Sequence, residues 1–214
     1  MNAKLLIKHF IKLLFKLATL PLYFFYLLMC LFGNPDVAFQ SFSQVLSLIP
    51  GKVGIYIRAA FYHLACPDTS DEIYVGFLTV FSHRDTSIQK GVYIGPQCNI
   101  GKCIIRENTL VGSGVHILSG SQQHYCSDTS IPIQKQGGQY VKIDINEDCW
   151  LGNSSLIMVS LAPHCIVAAG SIVNKPAEPG DILAGNPARK IRNRLTREQL
   201  NKQHNITANH EQHI

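Results

Sequence analysis

A short apolar period runs through the middle of the chain and predicts most of its architecture. Large aliphatic residues recur five or six positions apart, at Ile94, Ile100, Ile105, Val111 and Ile117. A small or β-branched residue stands two positions before each of them. A period of six fits neither an α-helix nor a plain alternating strand. It predicts short strands joined by sharp corners, with coils that stack and bury one large apolar side chain per face.

The period is interrupted once, between residues 120 and 141. It resumes near Ile143, with one step of four residues between Ile157 and Leu161. The interruption is rich in glutamine, serine and glycine, and it predicts a loop that projects from the coils. Long loops inside a regular repeat are usually functional or disordered. The histidine at its start, His124, is therefore a candidate for chemistry.

The first 52 residues carry a different pattern. Lysines at positions 4, 8, 12 and 16 share one slowly drifting helical face, and Leu17 to Phe32 is almost wholly apolar apart from Thr19 and Pro21. This run is shorter than the ~20 residues of a spanning helix, and it predicts a helix that lies on a membrane surface or re-enters it. A buried helix pair is the alternative. A turn at residues 33–36 precedes a second apolar stretch, Val37 to Ile49, which predicts a second helix.

These patterns divide the chain into three parts. Residues 1–52 form a membrane-associated helical segment, residues 53–192 form the repeat domain with its loop 120–141, and residues 193–214 form a polar tail that could include a short helix. The rhythm is loose between residues 51 and 84, so we take Ile73 as the entrance to the coils. The helical segment before it would cap the first coil, because stacked repeats need covered ends.

Charge and cysteine content narrow the choice of partners. The formal net charge is +5, and the basic residues concentrate at the two ends, which suggests anionic partners such as lipid head groups or phosphates. No basic stripe interleaved with aromatic residues appears, which argues against nucleic acid. The seven cysteines include no CxxC pair, so neither a zinc ribbon nor a closed disulfide set is indicated. Four of them occupy the small position of the repeat and are interpreted as core residues of a protein from a reducing compartment: Cys98, Cys103, Cys149 and Cys165.

Three segments of the repeat carry a resemblance to a known family. Residues 149–153 (CWLGN), 168–173 (AAGSIV) and 184–188 (AGNPA) resemble the C-terminal signature of the hexapeptide-repeat acyltransferase superfamily. The resemblance covers roughly residues 73–192. It implies a mainly β protein, a left-handed parallel β-helix of triangular section, and a homotrimer with active sites at the subunit interfaces.

The same resemblance assigns a role to His124. The string SGSQQH, residues 119–124, resembles the place where the O-acetyltransferase branch carries its catalytic histidine. A sugar hydroxyl is a poor nucleophile at neutral pH, and an imidazole can take its proton and pass it to the leaving thiolate. His83, in a second polar cluster, is expected to line the acceptor side. Neither Asp85 nor Asp128 can be assigned from the sequence as the group that orients His124.

The coenzyme side follows from the resemblance as well. Trp150 precedes the inward Leu151 and should point outward, where the family places a tryptophan beside the pantetheine arm of coenzyme A. The corner at Ala169 and Gly170 would lie against that arm. Three basic residues match positions that meet the adenosine phosphates, which suits the forked geometry of arginine: Lys175, Arg189 and Arg192. Acetyl-CoA is thus the implied acyl donor, and no metal is implied.

The expected activity is transfer of an acetyl group from acetyl-CoA to a hydroxyl of a saccharide. The membrane-seeking N-terminus points to a lipid-linked or surface-polysaccharide precursor as a candidate acceptor. Because acyl-CoA is intracellular, the protein is expected on the inner face of the cell membrane, attached peripherally or monotopically. An N-acyltransferase acting on an amino sugar and a non-catalytic trimeric scaffold stay open. A carbonic-anhydrase-like metal enzyme would need three histidine ligands. No clear third ligand accompanies His116 and His124.

Overall fold

The computed structural model describes residues 3–195 of the chain, with side chains from Leu6 onward. Three helices come first: α1, Ala3–Phe32; α2, Pro35–Ser47; and α3, Gly51–Ala65. The predicted second helix is α2. Its start is fixed by Asn34, whose side chain accepts a hydrogen bond from the N–H of Asp36, and by Pro35 at the first helical position. Helix α3 was not predicted, and all of it after Lys52 lies in the segment that the sequence analysis grouped with the repeat domain.

Short strands make up the rest of the described chain. They are β1 Tyr74–Val75, β2 Val80–Phe81, β3 Ser87–Ile88, β4 Tyr93–Ile94, β5 Asn99–Ile100, β6 Cys103–Ile105, β7 Leu110–Val111, β8 His116–Ile117, β9 Ile143–Ile145, β10 Trp150–Leu151, β11 Leu156–Ile157, β12 Ile166–Val167, β13 Ile172–Val173, β14 Asp181–Gly185 and β15 Ala188–Asn193. A 3₁₀ turn, Ile133–Lys135, lies in the loop between β8 and β9.

The strands form three parallel sheets that the chain visits in turn. Sheet A has the order β1-β4-β7-β10-β12-β14, sheet B has β2-β5-β8-β11-β13, and sheet C has β3-β6-β9. Each of the first three coils therefore adds one strand to each sheet. The short step between Ile157 and Leu161 has a simple cause, because Leu161 continues sheet C through a single bridge to Ile145 instead of a full strand. The fold is mainly parallel sheet with a few helices, as predicted.

The core of the coils consists of the residues that the period placed inside. Ile94, Ile100 and Ile105 are fully buried, and Ile117 is nearly so. The four cysteines of the small position are buried with them. Burial raises the pKa of the Cys103 thiol well above its ordinary value, which keeps it protonated. The interpretation of these cysteines as apolar core residues is in accord with this environment.

The corners between sheets A and B show why the repeat needs small residues. One residue in each corner has a left-handed backbone, as Gln97, Ser154 and Gly170 do. The N–H of Gly170 donates to the carbonyl of Asn153 one coil earlier, at 2.9 Å, so the corners stack directly on each other. A Cβ added to Gly152 would lie 2.5 Å from the backbone nitrogen of Ala169. Glycine is required there because successive coils approach so closely.

The helices cover the first coil, which is the capping role that the sequence predicted. Arg58 of α3 is fully buried and joins three segments. Its guanidinium donates to the carbonyls of Leu46 at 2.9 Å, Ile49 at 2.8 Å and Val75 at 3.0 Å. It therefore satisfies carbonyls at the end of α2 while it holds that end against β1.

One face of helix α1 packs against the rest of the protein, and its other face is apolar and exposed. Lys12 and Lys16 turn toward the coils and bind the carboxylate of Asp71 at 3.0 Å and 3.3 Å. The outer face exposes large apolar side chains, including Phe10, Leu17 and Phe24. Residues 6–32 have a mean hydropathy of 1.8, and by length and composition they form the one described helix that could cross a membrane.

The described chain ends in a strand. Strand β15 pairs antiparallel with β14 and closes the last coil of sheet A. The possible C-terminal helix of the sequence analysis falls almost entirely on residues 196–214, which lie outside the described residues.

Candidate active site

The loop that interrupts the repeat leaves the coils after β8, at the corner between sheets B and C, and has an ordered base. The N–H of Val141 donates to the carbonyl of Ser119 at 2.9 Å, and that of Gln139 donates to Gln122 at 2.8 Å. Further out, the N–H of Tyr125 donates to the carbonyl of Gly137 at 3.0 Å. The outgoing limb of the loop, residues 119–125, and the returning limb, residues 137–141, are thus held side by side in a ladder of backbone hydrogen bonds.

His124 lies on the outgoing limb of this ladder, between the paired positions 122 and 125. Its side chain is exposed, and it has no hydrogen-bond partner among the described residues. The two aspartates considered as orienting groups are engaged elsewhere. Asp128 accepts from Ser130, and Asp85 binds two lysines. Within one chain, the backbone bonds on either side of His124 restrain the limb that carries it, and neither of these aspartates is bonded to its imidazole.

A cleft of about 380 Å³ adjoins the outgoing limb. Most of its lining residues carry side chains that can form hydrogen bonds, and they come from α2, three coils and both limbs of the loop: Gln40, Ser82, His83, Asn99, Gly101, Ile117, Leu118, Ser119, Gln123 and Tyr140. His83 therefore lies in the same cleft as Gln123, the residue next to His124. The hydroxyl of Ser82 is 2.9 Å from Nδ1 of His83.

Sequence reasoning missed most of this lining. Asn99 had a usable signal, because it is a polar residue at the outward position of a strand that follows the repeat. Gln40 had none, since its place in the cleft depends on how α2 packs against β2. Tyr140 was hidden in the irregular loop.

An ion-pair cluster lies at the base of the loop. The carboxylate of Asp85 binds Nζ of Lys102 at 3.0 Å and Nζ of Lys142 at 2.7 Å. Partial burial by itself would raise the pKa of the Asp85 carboxyl, but these two lysines outweigh it and lower that pKa below its usual value. The carboxylate is thus fully ionised at neutral pH.

The predicted coenzyme residues lie on another side of the coils. Trp150 points outward from β10 and its side chain is exposed, as expected. In sheet A, Trp150 is paired with Ile166, Ile166 with Ile182, and Ile182 with Arg192 on β15. These four residues therefore lie in one row across the sheet. Three strand spacings separate Trp150 from Arg192, which amounts to roughly 14 Å.

The remaining predicted coenzyme residues are exposed as well. Arg189 lies on β15, Ala169 and Gly170 form the corner after β12, and Lys175 follows β13. Lys190, between the two arginines, binds Asp181 at 2.6 Å, while Arg192 forms no ion pair within residues 3–195. A guanidinium without a carboxylate partner is free to bind phosphate.

The predicted base and the predicted coenzyme residues come from different parts of the coils. Trp150 and Arg192 are on sheet A, whereas His124 is on a loop between sheets B and C. His116 points outward from β8, as predicted, and the part of the chain that the structure describes contains no group of three or more histidine, cysteine, aspartate or glutamate residues placed to hold a metal.

Known proteins resemble this chain in sequence and in fold. No protein-family model matches it. It is 30% identical over 118 residues to a chloramphenicol acetyltransferase from Klebsiella aerogenes, a match that covers 48% of this chain and 56% of that protein. The chain thus spans about half the length of the curated relatives it matches.

Solved structures share the fold over most of the chain. A maltose O-acetyltransferase from Clostridium difficile 630 superposes with a TM-score of 0.64 at 16% identity, covering 77% of this chain and 90% of that one. A hexapeptide-repeat acetyltransferase from Vibrio cholerae O1 biovar eltor, complexed with acetyl coenzyme A, superposes with a TM-score of 0.51 at 18% identity, covering 74% and 88%. Taken together, these likenesses show that the chain has the fold of the hexapeptide-repeat acetyltransferases and resembles acetyltransferases in sequence.

Proposed function

We propose that this protein transfers an acetyl group from acetyl-CoA to a hydroxyl of a saccharide, with His124 as general base. The observation that carries the proposal is an exposed imidazole on an ordered limb, next to a polar cleft. The acceptor oxygen attacks the thioester carbonyl while His124 takes its proton. The carbon–sulfur bond then breaks, and the imidazolium returns the proton to the leaving thiolate.

The lining of the cleft favours a saccharide as acceptor. Its amide, hydroxyl and imidazole groups can each donate or accept hydrogen bonds, and Tyr140 adds an aromatic ring. A sugar offers hydroxyls on its edges and an apolar C–H face, which matches such a lining. The fold neighbour named for maltose supports this choice.

A second acceptor class has an observation in its favour. The relative named for chloramphenicol indicates that a small, non-saccharide alcohol could occupy the cleft instead. An amino sugar, acylated on nitrogen, is the third candidate, because the same general base would serve an amine. The polarity of the cleft favours the first class.

We assign the coenzyme to Trp150, Ala169, Gly170, Lys175, Arg189 and Arg192. Trp150 and the small corner at residues 169–170 would contact the pantetheine arm, and the three basic side chains would bind the phosphates. The V. cholerae neighbour with acetyl coenzyme A supports coenzyme binding on this fold. Arg192 and Trp150 in one register row fit a ligand that extends along sheet A.

We infer that the active unit is a homotrimer of left-handed β-helices. The family resemblance supports both the handedness and the symmetry. The separation of His124 from Trp150 within one chain supports a shared site, because a neighbouring subunit could bring its loop to sheet A. Sedimentation equilibrium in mild detergent should give three chains per particle, and an active monomer would contradict the shared site.

We further propose that α1 attaches the protein to the inner face of the cell membrane. The exposed apolar side chains of α1 support insertion into the interface, while Lys12 and Lys16 are occupied by Asp71. Acetyl-CoA is in the cytoplasm, so the coils must be there too. Protease treatment of intact cells should leave the C-terminus uncut, and cleavage from outside would contradict this placement.

The test of the activity is release of coenzyme A thiol from acetyl-CoA. The wild-type protein is assayed with mono- and oligosaccharides, amino sugars and chloramphenicol. His124→Ala should lower turnover by roughly 10²–10⁴-fold, the usual contribution of a positioned general base. His116→Ala is the matched control, because that histidine is also exposed but lies on β8. Equal thiol release by His124→Ala and wild type would favour a non-catalytic scaffold.

The product then distinguishes the acceptor atoms. Alkaline hydroxylamine cleaves an acetyl ester but leaves an acetamide intact. Loss of the acetyl group after this treatment is the expected result, and a stable product would identify the N-acyltransferase.

A further inference from the structure

The loop that carries His124 is fastened to the coils at both ends by one small cluster. Lys142 follows the returning limb directly, and its ammonium binds Asp85 at 2.7 Å and the hydroxyl of Ser87 at 3.2 Å. Lys102 binds the other carboxylate oxygen of Asp85 at 3.0 Å. The backbone N–H of Lys102 also donates at 2.8 Å to the hydroxyl of Ser119, where the outgoing limb begins.

These contacts connect three successive coils at one corner. Asp85 follows β2 in the first coil, Lys102 follows β5 in the second, and Lys142 precedes β9 in the third. Coils of such a solenoid contact only their neighbours through backbone pairing. The side chain of Asp85 therefore reaches past the second coil and connects the first coil to the loop of the third.

The cluster also fixes the wall of the cleft. Tyr140, two residues before Lys142, has its ring centroid 5.4 Å from that of His83, two residues before Asp85. The ion pair and the ring contact thus join the same two segments at neighbouring points. A carboxylate that binds two lysines at once restrains the segments around it more strongly than a single exposed ion pair does.

We propose that Asp85 is a positioning residue for the transfer reaction, and that it acts by holding the returning limb against the first coil. The proposal rests on the proposed function of His124. It assigns Asp85 no contact with acceptor or coenzyme. It predicts a defect in acceptor binding and turnover, with coenzyme binding preserved, because Trp150 and Arg192 are on sheet A.

Hydrogen exchange tests the structural step without any need for activity. In the full-length Asp85→Asn variant, the amides of Tyr125, Gln139 and Val141 should exchange roughly three to ten times faster than in wild type, as expected if two partly exposed ion pairs no longer oppose local opening. Amides of sheet A strands should be unchanged. Unchanged exchange at the three loop amides overturns the proposal.

Kinetics test the functional step. Asp85→Asn should raise the KM for the acceptor and lower kcat, with a combined loss of roughly tenfold or more in kcat/KM. The KM for acetyl-CoA should stay within about twofold of wild type, since no coenzyme contact is touched. Asp85→Glu, which keeps the charge, should recover most of the loss. Equal changes in both KM values, or no recovery by glutamate, would count against positioning.

Asp71 provides the matched control, because it also bridges two lysines, Lys12 and Lys16, but far from the loop. Asp71→Asn should leave both KM values and the loop amides unchanged. Suppose that the wild type is inactive toward every acceptor, but that Asp85→Asn still speeds exchange at the loop amides. This result would refute the proposed function and leave the structural role of Asp85 standing. An active wild type with a tight loop in Asp85→Asn would refute the positioning role alone.

Discussion

Tyr140 faces His83 across one edge of the cleft, with ring centroids 5.4 Å apart and ring planes inclined by 46°. The two residues are far apart in the chain, since His83 follows β2 and Tyr140 lies near the end of the loop. Their contact turns the loop into a wall of the cleft. The loop thus carries the proposed base and also forms part of the wall of the cleft.

Removal of the Tyr140 ring should weaken acceptor binding. Tyr140→Ala is expected to raise the acceptor KM by roughly three- to tenfold, the range for loss of one aromatic contact. Tyr140→Phe keeps the ring and should remain within about threefold of wild type if stacking dominates. Initial rates at saturating acetyl-CoA measure both. A Tyr140→Phe variant as poor as Tyr140→Ala would show that the hydroxyl, not the ring, binds the acceptor.

Gly138 makes room for the limb that carries His124. A Cβ at this position would lie 1.8 Å from the carbonyl oxygen of Gln123 and 2.9 Å from the backbone nitrogen of His124. Gly138→Ala must therefore push the two limbs apart, and turnover should fall by roughly tenfold or more because the base is displaced. Thermal unfolding should change little, since the coils are untouched.

The neighbouring Gly137 is the control for this substitution. A Cβ there would meet no atom within 4 Å, although the backbone has a φ of +79°. Asparagine tolerates that backbone better than other side chains, so Gly137→Asn should keep nearly full activity. A Gly138→Ala protein with wild-type turnover would mean that the limb is not a rigid support for His124.

The sequence allowed the coils to be predicted because each inward position is defined by its near neighbours. Ile94 and Ile100 follow from a period of six alone, and so does the outward side chain of Trp150. Gln40 could not be assigned, because its place depends on how α2 packs against the first coil. The lysine partners of Asp85 could not be assigned either, because Lys102 and Lys142 come close to it only when three coils have stacked. Local periodicity is enough to predict the coils, whereas the cleft is formed by contacts between segments that are distant in the sequence.

Trp150 and Arg192 should determine the affinity for coenzyme. Trp150→Ala is expected to raise the KM for acetyl-CoA, and Arg192→Ala should do so in a salt-dependent manner because it removes the proposed phosphate contact. Each loss should be roughly fivefold to fiftyfold, as for a charge-assisted or aromatic contact. The acceptor KM should not change. Lys190→Ala is the control on the same strand, because that lysine already binds Asp181.

Acid should weaken the fold through its bridged aspartates. Burial alone would raise the pKa of the Asp71 carboxyl, but Lys12 and Lys16 outweigh it and lower that pKa, as Lys102 and Lys142 do for Asp85. An unfolded aspartate titrates near ~3.9, so the unfolded state binds these protons first as the pH falls. The stabilisation is present above about pH 5, declines as the pH falls past about 4, and is lost as the pH passes through the lowered pKa of the folded state. Urea midpoints measured from pH 7 to pH 3 should show this fall, and the double variant Asp71→Asn, Asp85→Asn should flatten it.

Arg58 should matter most for stability among the polar residues of the helical cap. Arg58→Leu removes three hydrogen bonds from the carbonyls of Leu46, Ile49 and Val75. The Leu46 carbonyl keeps a backbone bond from the N–H of Ile49, and Ile49 is only partly buried. Unsatisfied buried groups cost about 1–3 kcal/mol each, and partial relaxation should bring the total loss to about 3 kcal/mol. Urea unfolding followed by circular dichroism measures it. Lys52→Leu, at an exposed position of the same helix, should stay within about 0.5 kcal/mol of wild type. If Arg58→Leu were equally mild, the cap would be held by its aromatic contacts instead, such as the ring pair of Tyr62 and Phe81 at 4.5 Å.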